Sequence, residues 1–106
     1  MAKTEKHLYE FGPFRIDAVE RLLLRNGQTI PLTPKAADTL LALLGSPGRV
    51  LDKDELIKIV WPDTFVEEGA LARNISALRK ALGDETEGSQ YIETIRAVGY
   101  RLTVTI

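Results

Sequence analysis

Leu71, Ile75, Leu78 and Leu82 recur at spacings of four, three and four, so the stretch from Phe65 to Gly83 predicts a helix with that edge buried. The opposite edge carries Gly69, Arg73, Ser76, Ala77 and Lys80, with Arg79 at its flank and no acid between Gly69 and Leu82. A helix packed on one side and thin and cationic on the other is shaped to approach a grooved anion. Most amphipathic helices are plain surface helices, however, and the rest of the chain has to decide between the two.

Upstream, the pattern changes to short alternating runs. Tyr9 to Phe11 precedes Gly12-Pro13, Phe14 and Ile16 alternate with Arg15 and Asp17, and Arg21 to Arg25 joins Gln28 to Leu32 through Asn26-Gly27. Asn-Gly between apolar strands marks a tight hairpin, because both residues tolerate positive φ. Four antiparallel strands are predicted over 8–32, covering one side of a helical core. Thr33-Pro34 then opens a helix with an apolar face of Leu40, Leu41, Leu43 and Leu44, which Gly45-Ser46-Pro47-Gly48 stops. Asp52 with Glu55 reads as a capping box, and Leu51 with Leu56 as a hydrophobic staple, for a second, short helix. Leu56, Ile59 and Val60 are its expected buried side, and Trp61-Pro62 its end. Beyond the acidic loop from Gly83 to Gln90, Tyr91 to Ile95 and Tyr100 to Ile106 read as two strands joined by Arg96-Ala97-Val98-Gly99.

Composition narrows the chemistry. The 106 residues, 44 % of them apolar, suffice for one small domain, with 1–7 a disordered polar leader and 8–106 folded: sheet 8–32, three helices 33–82, hairpin 91–106. No cysteine is present, and the one histidine, His7, lies in the leader. Neither a disulfide scaffold nor a thiolate zinc site can form, no cofactor is implied, and no nucleophile with a base suggests an enzyme. Asp63, Glu67 and Glu68 fit the amide end of the third helix electrostatically, which accounts for them without catalysis. Trp61 is expected to plug the core beneath its loop. No apolar run approaches the ~20 residues of a membrane span, so a soluble, cytoplasmic chain without membrane contact of its own is expected.

The net charge of −1 argues against indiscriminate attraction to nucleic acid. The charges are nonetheless segregated. Acids flank the third helix at Glu67, Glu68, Asp84, Glu85 and Glu87, while Arg73, Arg79, Lys80, Arg96 and Arg101 lie on it and on the terminal hairpin. Short helix, loop, longer helix and hairpin is the order of a winged helix, which lays a helix in the major groove of DNA and a hairpin at the minor groove.

In that order, FGPFRID, LTPKAADTLLALL, the helix ending VW, ISALRKALGD and YIETIRAVGYR resemble the winged-helix effector domain of OmpR/PhoB-type bacterial transcriptional regulators. The likeness runs from Tyr9 onward. WPDTFVEEGALARNISALRKALGD is nearest to regulators that lack a receiver and fuse this domain to a membrane segment or repeat domain, so a membrane-tethered full-length protein is compatible with it. The resemblance implies an α+β winged helix-turn-helix that binds double-stranded DNA in sequence-specific fashion. Residues 67–82 correspond to the recognition helix and 94–100 to the wing. It places Asn74, Ser76 and Arg79 on the DNA-facing surface, to which the helical count adds Arg73 and Lys80. Lys53 and Trp61 match positions that contact or brace phosphate, Thr94 and Arg96 match wing residues, and Gly99 and Tyr100 match a returning strand near phosphate. Arg79 and Ser76 are the expected carriers of base information and Arg96 the minor-groove probe.

Two departures weaken the expected affinity. Ser76 and Ala77 stand where many members carry basic residues, and Ala97 where many have glycine. Tandem dimerisation, common in the family, would offset this by effective concentration. The alternative is a winged-helix protein-interaction module, for self-association or for RNA polymerase through loop 61–68, with weak or no DNA binding. A small-molecule substrate is not expected. The strand ending at Ile106 suggests a domain cut from a longer regulator.

Overall fold

A computed structural model describes residues 8–83 and 91–103 of the chain. The first four strands are β1 (Leu8–Phe11), β2 (Phe14–Asp17), β3 (Leu22–Arg25) and β4 (Gln28–Ile30), paired in sequence order as an antiparallel sheet. Asn26 and Gly27 both have positive φ, at 50° and 85°, and Arg25 pairs with Gln28 across them. This is the type I′ geometry that Asn-Gly predicts. The second turn is set by Asp17, whose side chain accepts from the Val19 and Glu20 amides and leaves Arg21 at φ 56°. Arg21 therefore belongs to the turn, not to the strand expected from Arg21 onward.

Helix α1 (Pro34–Leu44) begins as its sequence predicts, with Thr33 accepting from the Ala36 amide and proline at the first position. Helix α2 (Lys53–Val60) carries the full capping box: the Glu55 amide donates to Asp52 at 2.8 Å, and the Asp52 amide donates to the Glu55 carboxylate at 3.0 Å. Leu51 and Leu56 are both buried, as a staple requires. Ile59 is not part of the buried side expected of it, being 54 % exposed. On a helix this short the core takes Leu56 and Val60 fully and Ile57 in part, and Ile59 falls on the outer side.

Helix α3 (Glu68–Leu82) buries Leu71, Ile75, Leu78 and Leu82, the four residues its periodicity selects. Gly83 closes it in the left-handed conformation at φ 74°, donating back to the carbonyls of Arg79 and Lys80. The C-terminal hairpin is β6 (Ile92–Ile95) and β7 (Gly99–Leu102), so Tyr91 precedes the strand expected to include it. Residues 1–7, most of the acidic loop and the expected strand's last residues, 104–106, lie outside the described residues.

A further strand, β5 (Leu51–Asp52), pairs antiparallel with β7 and makes β7 the centre of a three-stranded sheet in the order β5-β7-β6. Two residues are too few to leave a periodic signature, and Leu51-Asp52 reads from sequence only as the entry to α2. The core joins all the layers: Phe11, Phe14, Ile16 and Leu23 of the first sheet, Leu40 and Leu43 of α1, Leu56 of α2, the α3 stripe, and Ile92, Tyr100 and Leu102 of the hairpin. Edge-to-face contacts of Tyr91 with Phe11 and Phe14, at 5.9 and 5.5 Å, tie the first sheet to the chain entering the hairpin.

Candidate nucleic-acid interface

The α3 stripe is buried against the core, so the rest of its circumference is fixed in space. Arg73, Ser76, Ala77 and Lys80 are exposed, as is Ala72 at their edge. This is the small and cationic face expected from the helical count. Arg73 is only loosely engaged, its guanidinium 3.9 Å from a Glu67 carboxylate with both side chains more than 70 % exposed. An ion pair of that kind is weak and screened by salt.

Two other α3 residues turn away from this face. Asn74 donates through Nδ2 to the Lys35 carbonyl at 3.2 Å and to Thr39 Oγ1 at 3.1 Å, both on α1. Thr39 is itself fully buried and donates to the Lys35 carbonyl. Both Asn74 amide bonds thus pin α3 to α1. Asn74 engages the α1–α3 seam, whereas the resemblance expects it on the DNA-facing surface. Arg79 is half-buried, and its Nη2 donates to the Ile92 carbonyl at 2.9 Å and to Thr94 Oγ1 at 2.7 Å. Its guanidinium lies on β6 and not in solvent.

The wing meets α3 through that same strand. Ile92 and Thr94 lie opposite Leu102 and Tyr100, so their shared face begins in the core and reaches its rim at exposed Thr94. Arg96 follows at the exposed tip, in a turn closed by the Val98 amide on the Ile95 carbonyl at 2.9 Å. Ala97, at the third position of this turn, has φ 64°. That is the type II pattern, in which glycine is the usual residue. On the other hairpin face Arg101 is bonded to Glu93, its cross-strand neighbour, so this cation is partly neutralised.

The returning strand is closely packed at its start. A Cβ on Gly99 would lie 2.0 Å from the Leu51 carbonyl oxygen and 2.6 Å from Asp52 Cα, and Tyr100 is only 9 % exposed. Gly99 therefore permits β7 to pair closely with β5, and Tyr100 serves the core. The pairing also brings the second helix to the wing, since the Lys53 amide donates to the Val98 carbonyl at 3.1 Å. Lys53 is the first residue of α2 and lies beside the hairpin turn. Trp61 ends α2 with its amide on the Ile57 carbonyl and packs its partly exposed ring against the core. It braces the α2–α3 loop, and Phe65 within that loop is 99 % exposed.

The structure thus brings together Lys53, Thr94 and Arg96 around the wing, and sets Arg73, Ser76 and Lys80 on α3 beside it. Asn74, Arg79, Gly99 and Tyr100 hold these elements in place. Among the described residues, no group of three or more His or acidic side chains could hold a metal ion, and no helix is long and apolar enough to cross a membrane.

Residues 27–102 match the family of C-terminal domains of transcriptional regulatory proteins. The chain belongs to this family, the OmpR/PhoB-type winged helices. It is 40 % identical over 83 residues to the transcriptional activator CadC of Escherichia coli, an alignment covering 77 % of this chain and 16 % of CadC. The solved DNA-binding domain of E. coli CadC superposes with a TM-score of 0.82 at 33 % identity, covering 97 % of this chain and 96 % of that one. The DNA-binding domain of Klebsiella pneumoniae RstA, solved in complex with the RstA box, superposes with a TM-score of 0.79 at 28 % identity, covering 92 % of this chain and 97 % of that one. This chain spans between 14 % and 45 % of the length of the curated relatives it matches.

Proposed function

We propose that this winged helix is the double-stranded DNA-binding effector domain of a bacterial transcriptional regulator, with α3 in the major groove and the hairpin at the minor groove. The observation that carries this reading is the exposed row Arg73, Ser76, Ala77 and Lys80 on α3, a helix bonded to the wing strand through Arg79, together with the exposed wing tip Arg96. Ser76 supplies a hydroxyl to a base edge, and the Ala72 and Ala77 methyls suit the thymine methyl. Lys53, Arg73 and Lys80 fix register through phosphates. The RstA domain, solved with its DNA box, gives the same fold a DNA partner in a relative. Two copies on adjacent half-sites would raise the affinity of so lightly charged a face.

The test is fluorescence anisotropy against random-sequence duplexes, followed by sequencing of the bound fraction. Saturable, salt-sensitive binding that enriches a short repeated motif is expected. Arg96→Glu is expected to weaken it more than ten-fold with an unchanged thermal melt. Absence of binding at low salt by a folded sample would overturn the reading.

One observation favours a protein contact in addition. Phe65 is almost wholly exposed on the loop between α2 and α3, where an aromatic ring gains nothing from water. This supports the loop as a contact for RNA polymerase, separate from the DNA-facing row.

A further inference from the structure

We propose that Arg79 does not touch DNA but acts on it through Thr94, as a positioning residue that locks the wing to α3 and orients the Thr94 hydroxyl as a donor toward phosphate. This rests on the DNA-binding reading above and reassigns the arginine that sequence reasoning gave to base readout.

The geometry carries it. Nη2 of Arg79 donates both to the Ile92 carbonyl and to Thr94 Oγ1, at 2.9 and 2.7 Å, so one guanidinium corner spans backbone and side chain of a single strand. The Arg79 Nε is buried without a hydrogen-bond partner. A group so enclosed is not poised to swing toward a base, because it would have to break both bonds and leave its site. Arginine keeps its charge under all ordinary conditions, so the clamp does not loosen by deprotonation.

The consequence for Thr94 follows from hydroxyl chemistry. A hydroxyl has one proton to donate and lone pairs to accept with. Because Thr94 Oγ1 accepts from the Arg79 guanidinium, its proton cannot lie along that line and is directed elsewhere. Thr94 is exposed, two residues before the wing tip. A proton so directed calls for an acceptor, and a phosphate oxygen is an acceptor only. Accepting from a cation also polarises the hydroxyl and strengthens the bond it donates. The α3 face and the wing are thereby coupled through one rigid bridge, and the position of Arg96 depends on a residue of the recognition helix.

The experiment is a double-mutant cycle on DNA affinity with Arg79→Met, which keeps the apolar stem, and Thr94→Val, which keeps the shape. Each binding isotherm is measured over a range of salt. Thr94→Val is expected to lose about ten-fold in affinity, the worth of a charge-assisted hydrogen bond, and Thr94→Ser to retain binding. Arg79→Met is expected to lose at least as much, the double variant little more than Arg79→Met alone, and the salt dependence to stay that of the unaltered domain. Amide exchange at Ile92–Ile95 in the DNA-free domain should quicken in Arg79→Met.

Additive losses, with a salt slope reduced by about 0.9 in Arg79→Met, would mean that the guanidinium neutralises a phosphate directly and would overturn the proposal. Full binding by Thr94→Val would overturn it too. If Arg79→Met does not fold, the Val and Ser variants at Thr94 decide the matter on their own. An unaltered domain that binds no DNA removes the functional reading and this inference together, whereas one that binds but shows additivity removes only the inference.

Discussion

Two glycine-type positions of the wing, on either side of Val98, carry opposite chemistry. Gly99 cannot bear a side chain, because the Leu51 carbonyl occupies the space. Ala97 bears one in a left-handed conformation that disfavours it. Gly99→Ala is therefore expected to destabilise the domain by about 3 kcal/mol, since backbone must move to admit the methyl. Ala97→Gly is expected to stabilise it by about 0.5–1 kcal/mol, the relief of strain exceeding the added chain entropy. Urea denaturation of the two variants checks both signs. Of the two, only the Ala97 position is visible in sequence, as a departure from the family's glycine. The demand at Gly99 comes from β5, a strand too short to be read from the chain. Asn74 and Arg79 show the same limit. Their types suit a DNA-facing helix, but their donors are taken by α1 and β6, to which no local pattern points.

At the scale of elements, local chemistry was the better guide. Thr33 with Pro34, the Asp52–Glu55 box, the Asn26-Gly27 turn and the Gly83 stop each satisfy backbone groups within a few residues, so sequence alone predicts them. The phase of α3 is legible for a related reason. Four large aliphatic residues at helical spacing leave one way to bury them. Leu78→Ala is expected to cost about 2–5 kcal/mol, measured by chemical denaturation, because Leu78 is fully buried and the methylenes removed leave a cavity. A cost well under 1 kcal/mol would place the helix in the wrong phase. Where an element is short, the pattern fails. Ile59 has the spacing of a core residue on α2 but lies at the open rim of the α1–α2 contact, 54 % exposed.

For the whole molecule, charge placement matters more than the net charge of −1. Arg101 is bonded to Glu93, Arg49 to Glu55 and Arg15 to Glu10, which removes these cations from any ligand's account. Arg73 and Lys80 are exposed on α3, and Arg96 is exposed at the wing tip. The logarithm of the DNA association constant is expected to fall with the logarithm of salt at a slope of about −3, near −0.9 for each of the three. A slope near zero would place binding on a surface without these cations. The sequence by itself determined the winged-helix order, the caps and turns, the buried stripe of α3 and the small, cationic row opposite it, because these depend on interactions along a few turns of chain. Tertiary structure alone decided that β5 completes the wing sheet, that Gly99 abuts β5 and Tyr100 is buried, and that Asn74 and Arg79 are bonded to α1 and β6. Those outcomes depend on which distant carbonyl or hydroxyl arrives within hydrogen-bond reach, and only the folded chain brings them together.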